Sequence, residues 1–151
     1  MDAVDRAILH ELQREGRLPN VALADRVHLS PSACLRRLKA LEEAGVITGY
    51  RAILDRRKLG LDLTVFVEVE ATGQRTAELE EAIAKIDEIV SCHSIAGPYE
   101  FLLQVALPDI AAYETFQPNT LLALPGIVRT RSHIAVRTMK EPGPLPLYPI
   151  Q

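Results

Sequence analysis

The residues best suited to chemistry lie in one short run, Ser30-Pro31-Ser32-Ala33-Cys34-Leu35-Arg36-Arg37-Leu38-Lys39. At helical spacing Leu35, Leu38 and Leu41 form an apolar stripe, and Ser32, Ala33, Arg36, Arg37 and Lys39 fall off it. Arginine forks onto guanine edges in a major groove, while serine hydroxyls and the N–H groups of a helix start hold phosphates. The chemistry implied is recognition of double-stranded DNA by a helix running from Pro31 to Ala44. Its far end turns acidic at Glu42 and Glu43, which suits entry into the groove by the N-terminus. Ser30 is the expected N-cap, Pro31 fits a first turn where its missing N–H costs nothing, and Gly45 is expected to end the helix.

Charge agrees with that placement. Residues 1–58 hold 11 Lys and Arg against 8 Asp and Glu, whereas residues 59–151 hold 6 against 12, within a net charge of −3. Segregated positive charge marks the front segment for nucleic acid. Catalytic patterns are missing: there is no Ser-His-Asp order, phosphate loop or Gly-rich fingerprint, so no enzyme and no cofactor is expected. Cys92 and His93 are adjacent on an expected strand and point to opposite faces, so no metal site is expected. Cys34 and Cys92 read as buried thiols, and His10 and His28 as surface residues. With two cysteines, an acidic N-terminus and no run of about 20 apolar residues, the sequence suggests neither disulfides, a signal peptide nor a membrane span; a cytoplasmic location is expected.

The elements that must position the reader come next. Asp2 to Glu15 reads as a helix with Val4, Ile8 and Leu12 inward, ended by Gly16. Asn20 is the expected N-cap of a second helix, Val21 to Val27, with Val21, Ala24 and Val27 inward. His28-Leu29-Ser30 is the turn into the third helix, completing a helix-turn-helix. Val46 to Leu54 reads as two short strands turning near Thr48-Gly49. This wing would set Arg51, with Arg56, Arg57 and Lys58, beside the phosphate backbone.

Further along, Leu63 to Glu70 alternates like a strand. Thr76 to Ile86 reads as a helix, Ile89 to Ile95 and Phe101 to Leu107 as strands, and Gly97-Pro98 as a turn. Asp109 caps a helix through Tyr113 that Pro118 should break or kink. Ile127 to Met139 reads as a long last strand, and residues 141–151 as a Pro-rich extended tail. The order β-α-β-β-α-β is the ferredoxin-like motif. The fold class is therefore α+β, an N-terminal winged helix-turn-helix followed by a ferredoxin-like βαββαβ domain. Its segments are 1–50 for DNA binding, 51–61 as a linking strand and hinge, 62–140 for the second domain, and 141–151 as the tail.

Several motifs in order resemble one family. Val4-Asp5-Arg6-Ala7-Ile8-Leu9, Leu29-Ser30-Pro31 through Leu38, Gly45-Val46-Ile47, Gly97 with Tyr99, and Leu124-Pro125-Gly126 are similar to the Lrp/AsnC, or feast/famine, regulators. The resemblance runs over roughly residues 2–147. It implies a DNA-binding transcription regulator of amino-acid-related genes, a homo-oligomer of dimers that assembles up to octamers. It also implies a small effector, an amino acid, bound where dimers meet, at the loop Ala96-Gly97-Pro98-Tyr99-Glu100. Glu100 would take an ammonium; loop N–H groups, Thr130 and Ser132 would hold a carboxylate; Leu121 and Leu124 would form an apolar wall. Pro98 stands where the family has an acid, which removes a charge and a donor. That departure supports an alternative, an architectural DNA-binding oligomer that ignores small molecules.

Overall fold

Asp2 and Asp5 close a reciprocal cap on helix α1 (Ala3–Arg14). The Asp5 N–H donates to Asp2 Oδ1 and the Asp2 N–H to Asp5 Oδ2, each at 2.9 Å. The computed structural model describes residues 1–72 and 76–148. They form two compact units, Met1–Ile53 joined by the chain from Lys140 on, and Leu54–Met139.

In the first unit α1 is followed by α2 (Asn20–Arg26) and α3 (Pro31–Glu43). Ile8, Leu9, Leu23, Ala24, Val27, Cys34 and Leu41 make its core, with Leu29, Leu38 and Ile47 at the margin. Three sequence expectations change here. Pro19, extended at φ −60°, occupies the cap of α2 without a side-chain bond, so Asn20 is already helical. The Asn20 amide instead donates to the Pro31 carbonyl at 2.9 Å and ties the two helix starts together. Val21, expected inside, is 68% exposed, because the inward set is Leu23, Ala24 and Val27. Leu35, also expected inside, is 42% exposed, because the buried stripe of α3 runs Cys34, Leu38, Leu41.

The turn between α2 and α3 is made by His28 at φ 55°, the one non-glycine residue with positive φ among those described. Its N–H donates to Asp25 O at 3.2 Å and the Leu29 N–H to Ala24 O at 2.9 Å, the paired bonds of a left-handed helix cap. Gly45, at φ 68°, repeats the device after α3, with its N–H on Glu42 O and the Val46 N–H on Leu41 O. The two short strands expected over 46–54 are not formed: the Val46 and Ile47 N–H groups both serve Leu41 O, and the chain beyond runs without ladder partners. From the tail, the Leu145 N–H donates to Gln13 Oε1 at 2.5 Å, Gln13 Nε2 donates to Leu145 O at 3.2 Å, and Leu147 packs on the core of this unit. Residues 149–151 of the expected tail lie outside the described residues.

The expected linking strand over 51–61 is replaced by a turn. Asp55 Oδ1 accepts from the Arg57 and Lys58 N–H groups, a 3-10 turn spans Arg57–Leu59, and Gly60 ends it at φ 73°. The second unit then forms β1 (Leu63–Ala71), α4 (Thr76–Ile83), β2 (Ile89–Ser94), β3 (Phe101–Leu107), α5 (Ile110–Phe116) and β4 (Ile127–Ile134). The sheet order is β2-β3-β1-β4, with every neighbouring pair antiparallel, the expected βαββαβ arrangement. Val65, Val67, Val69, Leu103 and Val105 face the helices and bury completely with Leu79 and Leu121. At Lys85 and Ile86 the end of α4 tightens into i−3 bonds, so the helix ends short of its expected length. Asp109 caps α5, accepting from Ala112 N–H at 2.8 Å, and Pro118 sits in the first turn of a π-helical widening, Gln117–Leu121. β4 stops at Ile134, five residues earlier than expected, because its partner β1 runs out: Val65 pairs Ile134, and Ala135 makes a last bond to Thr64 O. Cys34 is buried as expected, but Cys92 lies on the edge strand and is exposed.

Candidate nucleic-acid interface and effector loop

Ser30 starts α3, its hydroxyl accepting from the Ala33 N–H at 3.3 Å. With Cys34, Leu38 and Leu41 turned inward, the opposite face shows Ser32, Arg36 and Lys39, spaced i, i+4, i+7 and all exposed. Among the described residues none of Arg36, Lys39 and Arg51 makes an ion pair. Such a face offers a hydroxyl and unneutralised cations to a polyanion. Ala33 is half-buried, and its N–H is already taken by the Ser30 hydroxyl.

Arg37, expected on this face, turns the other way. Its Nη1 donates to Asp2 Oδ2 and Asp5 Oδ1, both at 2.7 Å, clamping α3 to the start of α1. The Asp5 N–H and then Arg37 hold the Asp2 carboxyl below its ordinary value, and Asp5 and Asp2 raise the guanidinium. The sequence gives no sign of this, since Arg37 lies more than thirty positions from Asp2 and Asp5. Arg26 braces α2 similarly on Glu11 and Glu15, at 3.0 and 2.9 Å. Tyr50 donates to Glu42 Oε1 at 2.9 Å, and desolvation with that bond pushes the phenol up to about 12. The acidic end of α3 thereby receives a partner from the chain that follows it.

In the second unit the candidate effector residues do not gather into one pocket. The loop Ala96–Glu100 joins β2 to β3 and is fastened to β1: the Glu100 N–H donates to Val69 O at 3.0 Å, and Glu100 Oε2 accepts from the Ala71 N–H at 2.9 Å. That N–H faces the β3 side of β1, where the ladder has ended at the Val69–Phe101 pair. Tyr99 is 4% exposed, with the guanidinium carbons of Arg129 and Arg131 5.4 and 5.5 Å from its ring centre. Arg129 and Arg131 pair with Glu70 and Glu68 on the face away from the helices. Thr130 and Ser132 pair with Val69 and Val67 on the helix-covered face. The thickness of the sheet therefore separates Thr130 and Ser132 from the Tyr99 side. Ser132 is further committed to the Tyr113 hydroxyl by a short hydrogen bond. Leu121 is fully buried in the core and cannot wall a ligand. Leu124 lines a shallow groove of about 450 Å³ between α4 and the π-helical turn, with Glu78, Glu81, Lys85 and Asn119. Arg129 and Arg131 are what sequence reading missed. Their signal was two arginines at strand spacing opposite Glu68 and Glu70, legible only once the register is known.

A winged helix-turn-helix DNA-binding pattern matches residues 1–48, and the Lrp/AsnC ligand binding domain matches residues 64–145. The chain belongs to the Lrp/AsnC family. It is 40% identical over 144 residues to the leucine-responsive regulatory protein of Escherichia coli K12, spanning 93% of this chain and 88% of that protein. A transcriptional regulator from Neisseria meningitidis, solved as a complex with L-Met, superposes with TM-score 0.92 at 36% identity, covering 97% of this chain and 96% of that one. An AsnC family transcriptional regulator from Agrobacterium tumefaciens gives TM-score 0.90 at 34% identity, covering 97% of each chain. As an Lrp/AsnC member the chain is a DNA-binding transcription regulator carrying a ligand-binding domain, and its family is one of regulators rather than enzymes. Among the described residues no helix is long and apolar enough to cross a membrane.

Proposed function

We propose that this Lrp/AsnC regulator binds its operators sequence-specifically through α3, with Ser32, Arg36 and Lys39 as the reading set. Ser30 acts as cap and phosphate partner, and Arg51 lies along the backbone. Arg37 serves as the clamp that holds α3 to α1. The observation that carries this reading is the exposed Ser32–Arg36–Lys39 face, whose two cations make no ion pair among the described residues, on a capped helix whose other side holds Cys34, Leu38 and Leu41 against the core. A dimer would set two such helices in successive major grooves of a roughly palindromic site.

The effector is an amino acid, and its site centres on the loop Gly97-Pro98-Tyr99-Glu100 at the contact between dimers. One Glu100 oxygen is held by Ala71, and the other, with no side-chain partner among the described residues, suits an ammonium. Arg131 makes no ion pair among the described residues and suits a carboxylate. The neighbour from Neisseria meningitidis was solved with L-Met, which supports an amino acid as the ligand class. Effector binding then shifts assembly or DNA affinity, a coupling of about 1–3 kcal/mol.

Two measurements test this reading. In a gel-shift series Arg36→Ala is expected to weaken binding and relax sequence preference; unchanged affinity and selectivity would remove α3 as the reader. Thermal melting against the twenty amino acids is expected to show a rise for at least one, absent in Gly97→Arg while DNA binding survives. If no amino acid raises the melting temperature, the architectural reading motivated by Pro98 takes over.

A further inference from the structure

Leu35 is a large apolar side chain standing on the face of α3 that otherwise carries hydroxyl and cationic groups. It is 42% exposed and is not among the residues packed on the helix-turn-helix core. Helical spacing sets it three residues from Ser32, next to Arg36 and four residues before Lys39, all exposed. A lone exposed leucine is ordinary on a protein surface. This one lies where a helix entering a major groove meets base edges.

On that edge, adenine, guanine and cytosine present only donors and acceptors, and thymine alone adds a methyl group. A leucine can satisfy none of the polar patterns. Pressed against them it strips their water and returns no hydrogen bond, which is unfavourable. Against a thymine methyl it buries apolar surface on both sides. From this geometry we infer that Leu35 is a specificity-determining residue that selects a thymine in each half-site by contact with its C5-methyl. Selection is positive through the methyl and negative through the cost of desolvating any other base edge. The inference rests on α3 being the reading helix.

The test uses the full-length protein and a duplex recovered from a random-sequence pool by repeated binding. Each thymidine in turn is replaced by deoxyuridine, which removes only the methyl. At one position per half-site, wild type is expected to lose about four-fold in affinity, the value of one buried methyl-sized group. Leu35→Ala, which removes the contact from both half-sites, is expected to bind the thymidine duplex about fifteen-fold more weakly and to be indifferent to deoxyuridine at that position. Leu35→Met, which keeps an apolar side chain, retains the sensitivity. The inference is overturned if wild type tolerates deoxyuridine everywhere, or if Leu35→Ala weakens binding yet keeps the full methyl sensitivity. Arg36→Ala on the same duplex separates the two levels. If it weakens binding while the Leu35 pattern fails, only the methyl contact falls. If neither substitution nor any deoxyuridine changes affinity, α3 is not the reader and both readings fall.

Discussion

His28→Gly is expected to stabilise the helix-turn-helix unit. His28 sits at φ 55°, where the Cβ of an L residue crowds the backbone at a cost of about 1–2 kcal/mol. Glycine removes that cost but brings extra freedom to the unfolded chain, which offsets about 0.5–1 kcal/mol. The His28 ring is exposed and makes no hydrogen bond or ion pair among the described residues, so its removal forfeits no partner. The net gain is about 0.5–1 kcal/mol, or about 2–8 °C in melting temperature for a unit of this size. The left-handed cap would persist, because its bonds from His28 and Leu29 to Asp25 and Ala24 are made by backbone. A ladder sharpens the test: asparagine should fall between glycine and histidine, and His28→Val should lose about 1 kcal/mol, since a β-branched residue fits this conformation worst. Circular dichroism melts of the full chain read the series, with gel shifts to confirm that α3 is still presented. If the glycine, histidine and valine forms melt together, the left-handed turn is not what joins α2 to α3.

Three further outcomes follow from the same physics. Ser30→Ala removes the acceptor of the Ala33 N–H and should cost about 1 kcal/mol in urea denaturation, with Ser30→Thr restoring most of it. Leu103→Ala, at a fully buried site in the central sheet, should cost about 2–5 kcal/mol and destabilise the ligand-binding unit. Asp2 has its folded value depressed, so its contribution is fully present above the ordinary value of 3.8 and is lost as pH falls through the lower folded value. The stability advantage of wild type over Asp2→Asn should therefore be constant near neutral pH and shrink only below about pH 4 in an acid titration; an advantage unchanged down to strongly acid pH would remove the Asp2–Arg37 clamp as its cause.

Local chemistry determined much of this protein in advance. The Ser30 cap, Pro31 in the first turn, the Gly45 terminator and the Asp109 cap are short-range devices, each needing only a few consecutive residues, and each is found where the sequence set it. Period-two alternation named β1, and the element order implied the βαββαβ sheet. What tertiary structure alone decided is which face each side chain takes and what it meets there. Leu35 matches the helical stripe as well as Cys34 does, and only packing against α1 and α2 chose between them. Arg37 looks like a DNA contact until Asp2 and Asp5 arrive from thirty-odd residues away. Strand register, a long-range property, put Thr130 and Ser132 on one side of the sheet and Arg129, Arg131 and Tyr99 on the other. The length of β4 was likewise set by where β1 ends, because a strand continues only while its N–H and C=O groups find a neighbour.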